Sequence, residues 1–425
     1  MKVLILTYYW PPSGGSGVQR WLKFVKYLQN FDVTPVVYTV DNPDYAIMDA
    51  SLENEIPNGV EVIRQPIWEP YKLANILSKK KKTHTSSGFL NSKQSFFGRL
   101  STYVRANYFI PDARCFWIKP SVKYLEKYLK ENPVDLIISS GPPHSLHLIA
   151  KELKQKLNIK WISDFRDPWT DIDYFHQLPL TKRAKERHHD LEQDVLKNSD
   201  AVVVVGKTMQ ENYLRYQKNT TVLPNGYDCD FPSNDVDLDL KFSITHIGLM
   251  NEDRNPHILW QALQEISAEI DGFSKNLEIQ LIGKVDELVL EAIKTNGLLT
   301  NTKQISYVPH NEVQLYQQKS QVLLLAVNKV PSAKGIVTGK IFEYLVAKRP
   351  ILAIGPENGD LAEILNDTNA GSIVDFENVN KLKEVIKELY QKYLEKSLYV
   401  DSKNIEQYHR KEITNQLAKL INRTV

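Results

Sequence analysis

The sequence predicts an α/β protein built from two doubly wound, parallel-sheet domains. Three observations predict it. Short apolar runs alternate with helical patterns along most of the chain, and the alternation breaks at Leu223-Pro224-Asn225-Gly226 and restarts at Ser243. The length, 425 residues, exceeds what one core ordinarily organises. Strands that alternate with helices form parallel sheets covered on both faces, so their strands read as continuous apolar runs.

The elements follow in order. Val3 to Thr7 is a buried-type strand, Val18 to Gln29 a helix and Thr34 to Val40 the next strand. Strands follow at Asp135 to Ser139, Lys160 to Ser163 and Ala201 to Val205, with helical periodicity over 144–157 and 181–197. The second series runs Ser243 to Ile247, Leu277 to Ile282, Val322 to Val327 and Ile351 to Ala353. The domains are therefore expected at 1–222 and 223–404.

Composition narrows the class. With 42% hydrophobic and 24% charged residues, the chain has the make-up of a soluble globular protein, and it has no apolar run of membrane-spanning length. The opening Met1-Lys2-Val3-Leu4-Ile5-Leu6 reads as a strand rather than a signal peptide. Two cysteines, Cys115 and Cys229, support neither a disulfide framework nor a cysteine zinc site, and a cytosolic location is expected. A net charge of +2 gives no case for nucleic acid. Residues 72–105, however, interleave Lys79-Lys80-Lys81-Lys82, Lys93, Arg99 and Arg105 with Phe89, Leu90, Phe96, Phe97, Leu100 and Tyr103. Such a stretch either contacts an anionic membrane surface or forms a solvated loop and an aromatic-packed helix.

Ligands of open parallel sheets bind beyond the carboxyl ends of the strands. The most informative such region is Gly335-Ile336-Val337-Thr338-Gly339-Lys340-Ile341-Phe342-Glu343, a glycine-bearing turn running into a helix with a carboxylate one turn in. A helix start presents unpaired amides and partial positive charge to a phosphate, and Glu343 is placed to accept from ribose hydroxyls. Gly248 directly follows the first strand of the second domain. Arg254 can reach back to a phosphate from a few residues on, as Lys340 does from its own loop. Two cations on a diphosphate neutralise a leaving group without a metal. No metal or other cofactor is expected, although Asp171/Asp173, Asp228/Asp230 and Asp237/Asp239 form D-x-D strings.

The first domain offers three loops. Tyr8 to Gly17 brings Gly14, Gly15 and Gly17 to a helix start, either as a structural turn or facing a phosphate or sugar. A dinucleotide fingerprint would need glycine where Arg20 stands. His144, with His147 one turn on, begins a helix and either packs there or enters the site as a neutral ring. Asp164, Arg166 and Asp167 end a strand, either as an internal ion pair or as contacts to acceptor hydroxyls.

Together these segments resemble a GT-B glycosyltransferase of family 4. The resemblance rests on Pro224-Asn225-Gly226-x-Asp228, the glycine-rich first loop and the Glu343 segment. Ile110-Pro111-Asp112, Ser140-Gly141-Pro142-Pro143 and Asp164-Phe165-Arg166-Asp167-Pro168-Trp169 are similar to a bacterial subgroup that builds surface polysaccharides. The resemblance implies two Rossmann-like domains facing each other across a cleft, the acceptor mainly on the first and the donor on the second, with the last helix (405–425) crossing back. It implies retaining transfer from a nucleotide diphosphate sugar to a saccharide or lipid-linked saccharide. Glu343 matches the second glutamate of the family's E-x7-E motif, which binds ribose. Gly335 stands where the first, sugar-contacting glutamate belongs, Leu249 replaces the family's arginine after the strand glycine, and His144 lies near its cleft histidine. An epimerase of the same architecture and a non-catalytic nucleotide-sugar-binding subunit are the alternatives.

Overall fold

The computed structural model describes all residues except 44, 46, 69–95, 230–235, 307 and 309, together with the side chains of 16, 96, 97, 310 and 311. The lysine run, Lys93, Phe89, Leu90 and Asp230 therefore lie outside the described residues. The chain forms two units, Met1–Asn225 with Arg410–Val425, and Gly226–His409.

The first unit holds strands β1 (Lys2–Leu6), β2 (Thr34–Val40), β3 (Glu61–Gln65), β4 (Leu136–Gly141), β5 (Lys160–Phe165), β6 (Ala201–Val204) and β7 (Thr220–Val222). They form one sheet in the order β3-β2-β1-β4-β5-β6-β7, and every neighbouring pair is parallel. Its helices are α1 (Ser16–Leu28), α2 (Phe96–Tyr108), α3 (Ile118–Glu131), α4 (Ser145–Leu157), α5 (Lys182–Asn198) and α6 (Lys207–Leu214).

Alternation along a strand sends successive side chains to opposite faces. In β1, Val3 and Ile5 enter the core layer containing Val18, Trp21, Leu22 and Val25 of α1. Leu4 and Leu6 enter the other layer, with Leu125 of α3 and Ile149 and Leu153 of α4. Burial on both faces is why β1 reads as an unbroken apolar run.

The second unit holds β8 (Phe242–Ile247), β9 (Leu277–Ile282), β10 (Thr302–Ile305), β11 (Val322–Ala326), β12 (Ile351–Ile354) and β13 (Gly371–Val374), ordered β10-β9-β8-β11-β12-β13 and again all parallel. Its helices are α7 (His257–Glu269), α8 (Phe273–Asn276), α9 (Glu287–Thr295), α10 (His310–Lys319), α11 (Lys340–Ala347), α12 (Asp360–Thr368) and α13 (Val379–Leu394). Ile341, Phe342 and Leu345 of α11 are fully buried with Leu323 and Leu325 of β11, so packing fixes where this helix begins.

The last helix, α14 (Arg410–Thr424), belongs to the first unit. Its Ile413, Leu417 and Ile421 share the core layer of α1, and Arg410 donates to the Gln19 carbonyl at 2.9 Å. Just before the chain returns, Tyr227 and His409 pair as a parallel bridge, and the Tyr227 amide donates to the Tyr408 carbonyl at 3.1 Å.

Two of the ends that differ from the sequence expectation bear on the site. β4 runs on to Gly141 and β5 to Phe165. Asp164 is thus a strand residue, not part of the following loop. A buried carboxylate is tolerated inside a strand when it is fully paired, and the partner comes from α1.

Candidate functional site

In the first unit, β1 and β4 are neighbours at the point where strand order reverses, so the loops that follow them leave the sheet at its switch point. Gly15 caps α1 with φ 83, a conformation side-chain-bearing residues avoid. Gly14 and Gly17 serve packing within the unit. A Cβ on Gly14 would lie 2.7 Å from Ile47 Cγ2, and one on Gly17 would lie 3.0 Å from Arg166 Nη1.

Arg166 joins three loops. It donates to the Gly17 carbonyl at 2.9 Å and the Pro142 carbonyl at 3.4 Å, and its guanidinium lies over the Tyr9 ring at 5.2 Å. Asp167 accepts from Arg166 Nε at 3.4 Å while its side chain remains 46% exposed.

Asp164 is engaged inside the first unit. It is buried, paired with Arg20 at 2.7 Å, and accepts further bonds from Trp21 Nε1 at 2.9 Å and Ser140 Oγ at 2.7 Å. Burial pushes this carboxyl up, but Arg20 and the two neutral donors more than offset it and hold it below the usual carboxylate range. Arg20 also donates to the Pro224 carbonyl at 3.2 Å and Asn225 Oδ1 at 3.3 Å. The internal Asp–Arg pair exists, with Arg20 as partner rather than Arg166.

His144 caps α4 with its ring stacked on Trp169, 4.5 Å between centroids. His147, stacked on Phe165, shares a 2.8 Å hydrogen bond with Ser139 through Nδ1. Burial drives both imidazoles toward the neutral form: His144 falls well below its ordinary value, helped by His147, and His147 falls to about 3. Their remaining buried nitrogens, His144 Nδ1 and His147 Nε2, have no hydrogen-bond partner. A Cβ on Gly141 would sit 2.7 Å and 2.5 Å from them, so glycine there lets both rings close over the strand end. The start of α4 is capped instead by Asp112, which accepts from the Ser145 amide at 2.9 Å and hydroxyl at 2.8 Å.

The second unit repeats the switch-point geometry between β8 and β11. Gly248 follows β8 with φ 108, and a Cβ there would lie 2.9 Å from both Cε and Nζ of Lys340. The lysine crosses the backbone where Gly248 leaves out a side chain. Lys340 opens α11, whose cap, Gly339, supplies no side-chain bond, and Thr338 Oγ1 just before it is buried and unpartnered. Arg254 lies in the same loop cluster, donating to the Leu249 carbonyl and to Asn328 Oδ1, each at 3.0 Å. Burial, with Arg254 adding repulsion, lowers the Lys340 ammonium to about 7. Glu343, one turn into α11 and half-buried, accepts from Gln317 of α10 at 3.2 Å.

The structure therefore brings Gly248, Arg254, Thr338, Gly339, Lys340 and Glu343 to one end of the second sheet. Gly335 sits in a short turn, Ala333–Gly335, in the loop leading to α11. That turn is pressed against the start of α12, where a Cβ on Gly359 would lie 2.7 Å from the Lys334 carbonyl oxygen. Among the described residues, no three His, Cys, Asp or Glu side chains come together as a metal site.

Sequence reasoning missed three participants. Arg20 was noticed only as a breach of a glycine fingerprint, although an arginine between core positions Val18 and Trp21 calls for a buried partner. His246, the one ionisable residue of β8, carries Lys340 on its ring. Gln317 sits 2% exposed on α10, and its burial has no signature in the sequence.

Comparison with known proteins agrees with this geometry. Residues 83–231 match the family described as Glycosyltransferase Family 4. No curated protein matches the chain by sequence. Among solved structures, sucrose-phosphate synthase from Thermosynechococcus elongatus superposes with a TM-score of 0.63 at 15% identity over 99% of this chain and 98% of that one. Anabaena Alr3699/HepE, solved in complex with UDP, gives 0.62 at 14% over all of both chains. A structure described as a putative UDP-N-acetylglucosamine 2-epimerase from Listeria monocytogenes gives 0.55 at 10% over 99% and 95%. The fold these likenesses establish is GT-B.

Proposed function

From a GT-B fold and a glycosyltransferase family 4 match over residues 83–231, we propose that the chain transfers a sugar, with retention, from a nucleotide diphosphate sugar to a saccharide or lipid-linked saccharide in surface-polysaccharide synthesis. One observation carries the donor half of the reading: Lys340, Arg254 and the open amide end of α11 meet at the switch point of the second sheet. A diphosphate placed there gains two cations, helix-start amides and the unpartnered Thr338 hydroxyl. Glu343 then takes the ribose hydroxyls, and the Gly335 turn meets the sugar.

In the reaction, the bond between the anomeric carbon and the β-phosphate oxygen breaks while the acceptor oxygen bonds the same face of that carbon. The acceptor proton passes to the departing phosphate oxygen. Lys340, Arg254 and the amides of Thr338 and Gly339 stabilise the developing charge, and the reaction is read as metal-independent. The acceptor is assigned to the first unit, with the Gly14–Gly17 loop and the neutral His144 facing the saccharide. Asp164 and Arg166 hold those loops in place, and Asp167 keeps an exposed carboxylate for acceptor hydroxyls.

The likeness to the Listeria structure favours a second reading, an epimerase acting on the donor alone. Incubation with a panel of nucleotide sugars, with and without a lipid-diphosphate saccharide, separates the two. Acceptor-dependent nucleotide release supports transfer, and an altered sugar with no release supports the epimerase. Donor binding with neither outcome defeats both readings and leaves a binding subunit.

A further inference from the structure

A line of buried polar groups runs under the start of α4. Trp161 of β5 donates from Nε1 to Ser139 Oγ of β4 at 2.8 Å, and the same oxygen lies 2.8 Å from His147 Nδ1. All three side chains are fully buried. An indole nitrogen only donates, so Ser139 Oγ accepts from Trp161 and has one proton left to give. His147 Nδ1 takes it. The reverse arrangement, with Nδ1–H donating to Ser139, would bury the hydroxyl proton with no acceptor among the described residues. Burial lowers the His147 imidazole to about 3, so the ring is neutral and its own proton sits on Nε2.

That Nε2–H is aimed over Gly141 at His144, whose Nδ1 is equally buried and without a hydrogen-bond partner. The two nitrogens lie 2.5 and 2.7 Å from one point, the position a Cβ on Gly141 would occupy. Two N–H groups turned on that point would repel, whereas a lone pair on His144 Nδ1 is attracted to the N–H of His147. The Trp169 ring stacks on His144 at 4.5 Å and holds the plane of the imidazole, so the place of the proton is what remains to be set. A neutral His144 with a bare Nδ1 carries its proton on Nε2. Among the described residues, that nitrogen is the one of the four that is neither hydrogen-bonded nor sealed from solvent.

We propose that Ser139 and His147 are positioning residues that lock His144 in its Nε2–H tautomer, so that His144 meets its ligand as a hydrogen-bond donor. The group it takes is an oxygen lone pair of a bound saccharide, not a proton to be removed. That use of the ring rests on the transfer reading, in which His144 orients the saccharide and the acceptor proton is left to the departing phosphate oxygen. The lock itself rests only on the hydrogen-bond chain, and its test does not use transfer.

The full chain is labelled with ¹⁵N in its imidazoles, and long-range proton–nitrogen NMR spectra distinguish a ring nitrogen that bears a proton from a bare one. The variants His144→Gln and His147→Gln assign the two rings. In the unsubstituted protein both should carry the proton on Nε2 and leave Nδ1 bare. Ser139→Ala removes the group that selects the His147 tautomer, so the Nδ1–H form should rise at least about threefold in both rings together. A rise confined to His147, or no change in either ring, overturns the proposal. So does an Nδ1–H or doubly protonated His144 in the unsubstituted protein. Should the variants fail to fold, neutron diffraction from the unsubstituted protein locates the same protons and decides between the tautomers. Nε2–H on both rings, without acceptor-dependent nucleotide release from any donor, leaves the lock standing and defeats only the transfer reading.

Discussion

Nζ of Lys340 lies 3.3 Å from Nε2 of His246. Nδ1 of that ring is 3.3 Å from the Leu324 carbonyl and Nε2 is 3.3 Å from the Leu249 carbonyl, so a neutral imidazole donates to one of two carbonyls, and the tautomer that donates to Leu324 turns its Nε2 lone pair toward the lysine. Burial, then the charges of Lys340 and Arg254, hold His246 well below its ordinary value and keep it neutral. The ammonium thus lies beside an uncharged ring, with Glu343 acting on it only from beyond hydrogen-bond distance, so an anion brought to Lys340, as in the proposed donor site, would meet a cation with no carboxylate hydrogen-bonded to it.

Donor affinity should depend on pH through Lys340. The free group titrates at about 7, and a bound diphosphate raises that value. Affinity should be level below pH 7 and fall above it, by up to about tenfold per unit. Calorimetry with a nucleotide sugar, whose diphosphate does not titrate in this range, reads the effect; Lys340→Met should bind weakly and without the slope. In the ligand-free protein, the unfolded lysine keeps its proton up to about pH 10.4, so stability should rise with pH from about 7 toward that value. A flat affinity profile in the unsubstituted protein would remove Lys340 from the site.

Gly248→Ala should cost about 1–3 kcal/mol of stability through its positive φ, and it should also weaken nucleotide affinity by displacing Lys340. Gly272→Ala is the control. Its φ is 82, with nothing within 4 Å of the added Cβ, so it should lose stability and keep affinity. Denaturant unfolding and calorimetry on both variants separate strain from displacement.

Arg20→Met strands the buried Asp164 carboxylate and should cost about 3–5 kcal/mol. Replacing both partners, as Arg20→Met/Asp164→Leu, should recover part of the loss. Because the folded Asp164 titrates below its unfolded value, its contribution is present above about pH 4 and disappears as pH falls through the folded value. Urea midpoints across that range should show the loss in the unsubstituted protein and not in the double variant.

Glu343→Ala should weaken nucleoside diphosphate binding by about 2–4 kcal/mol, the scale of two hydrogen bonds to a carboxylate. Pyrophosphate, which has no ribose, should bind with unchanged affinity. An equal loss for both ligands would mean that Glu343 acts on the phosphates or the fold instead.

Gly335→Glu should alter which nucleotide sugar is used while leaving affinity for the free nucleoside diphosphate unchanged. Competition among donors in one reaction reads the preference. Loss of nucleotide affinity in this variant would show that the turn shapes the diphosphate site.

Among the described residues, nine of the strands were legible in the sequence, and the four that were not are β3, β7, β10 and β13, the two edges of each sheet. Interior strands are buried on both faces and show as apolar runs. Edge strands such as Glu61-Val62-Ile63-Arg64-Gln65 and Thr302-Lys303-Gln304-Ile305 are half-exposed and mostly polar, so their sequences carry no such signal. The same distinction holds at the site. Gly248, Lys340 and Glu343, which the structure gathers at one end of the second sheet, could be singled out because loop chemistry stands out against apolar strands. His246 and Arg20 were not, because their roles depend on partners 94 and 144 residues away.

The bridge between Tyr227 and His409 gives the second unit the topology of an inserted cassette. Its entry and exit are side by side and hydrogen-bonded to one another, so removing it would leave two nearby chain ends rather than a torn sheet. Residues 226–409, expressed alone, should retain their closure, and the remainder can be rejoined across a short linker at Asn225 and Arg410. A gene can therefore trade one such cassette for another without redesigning the unit that carries it.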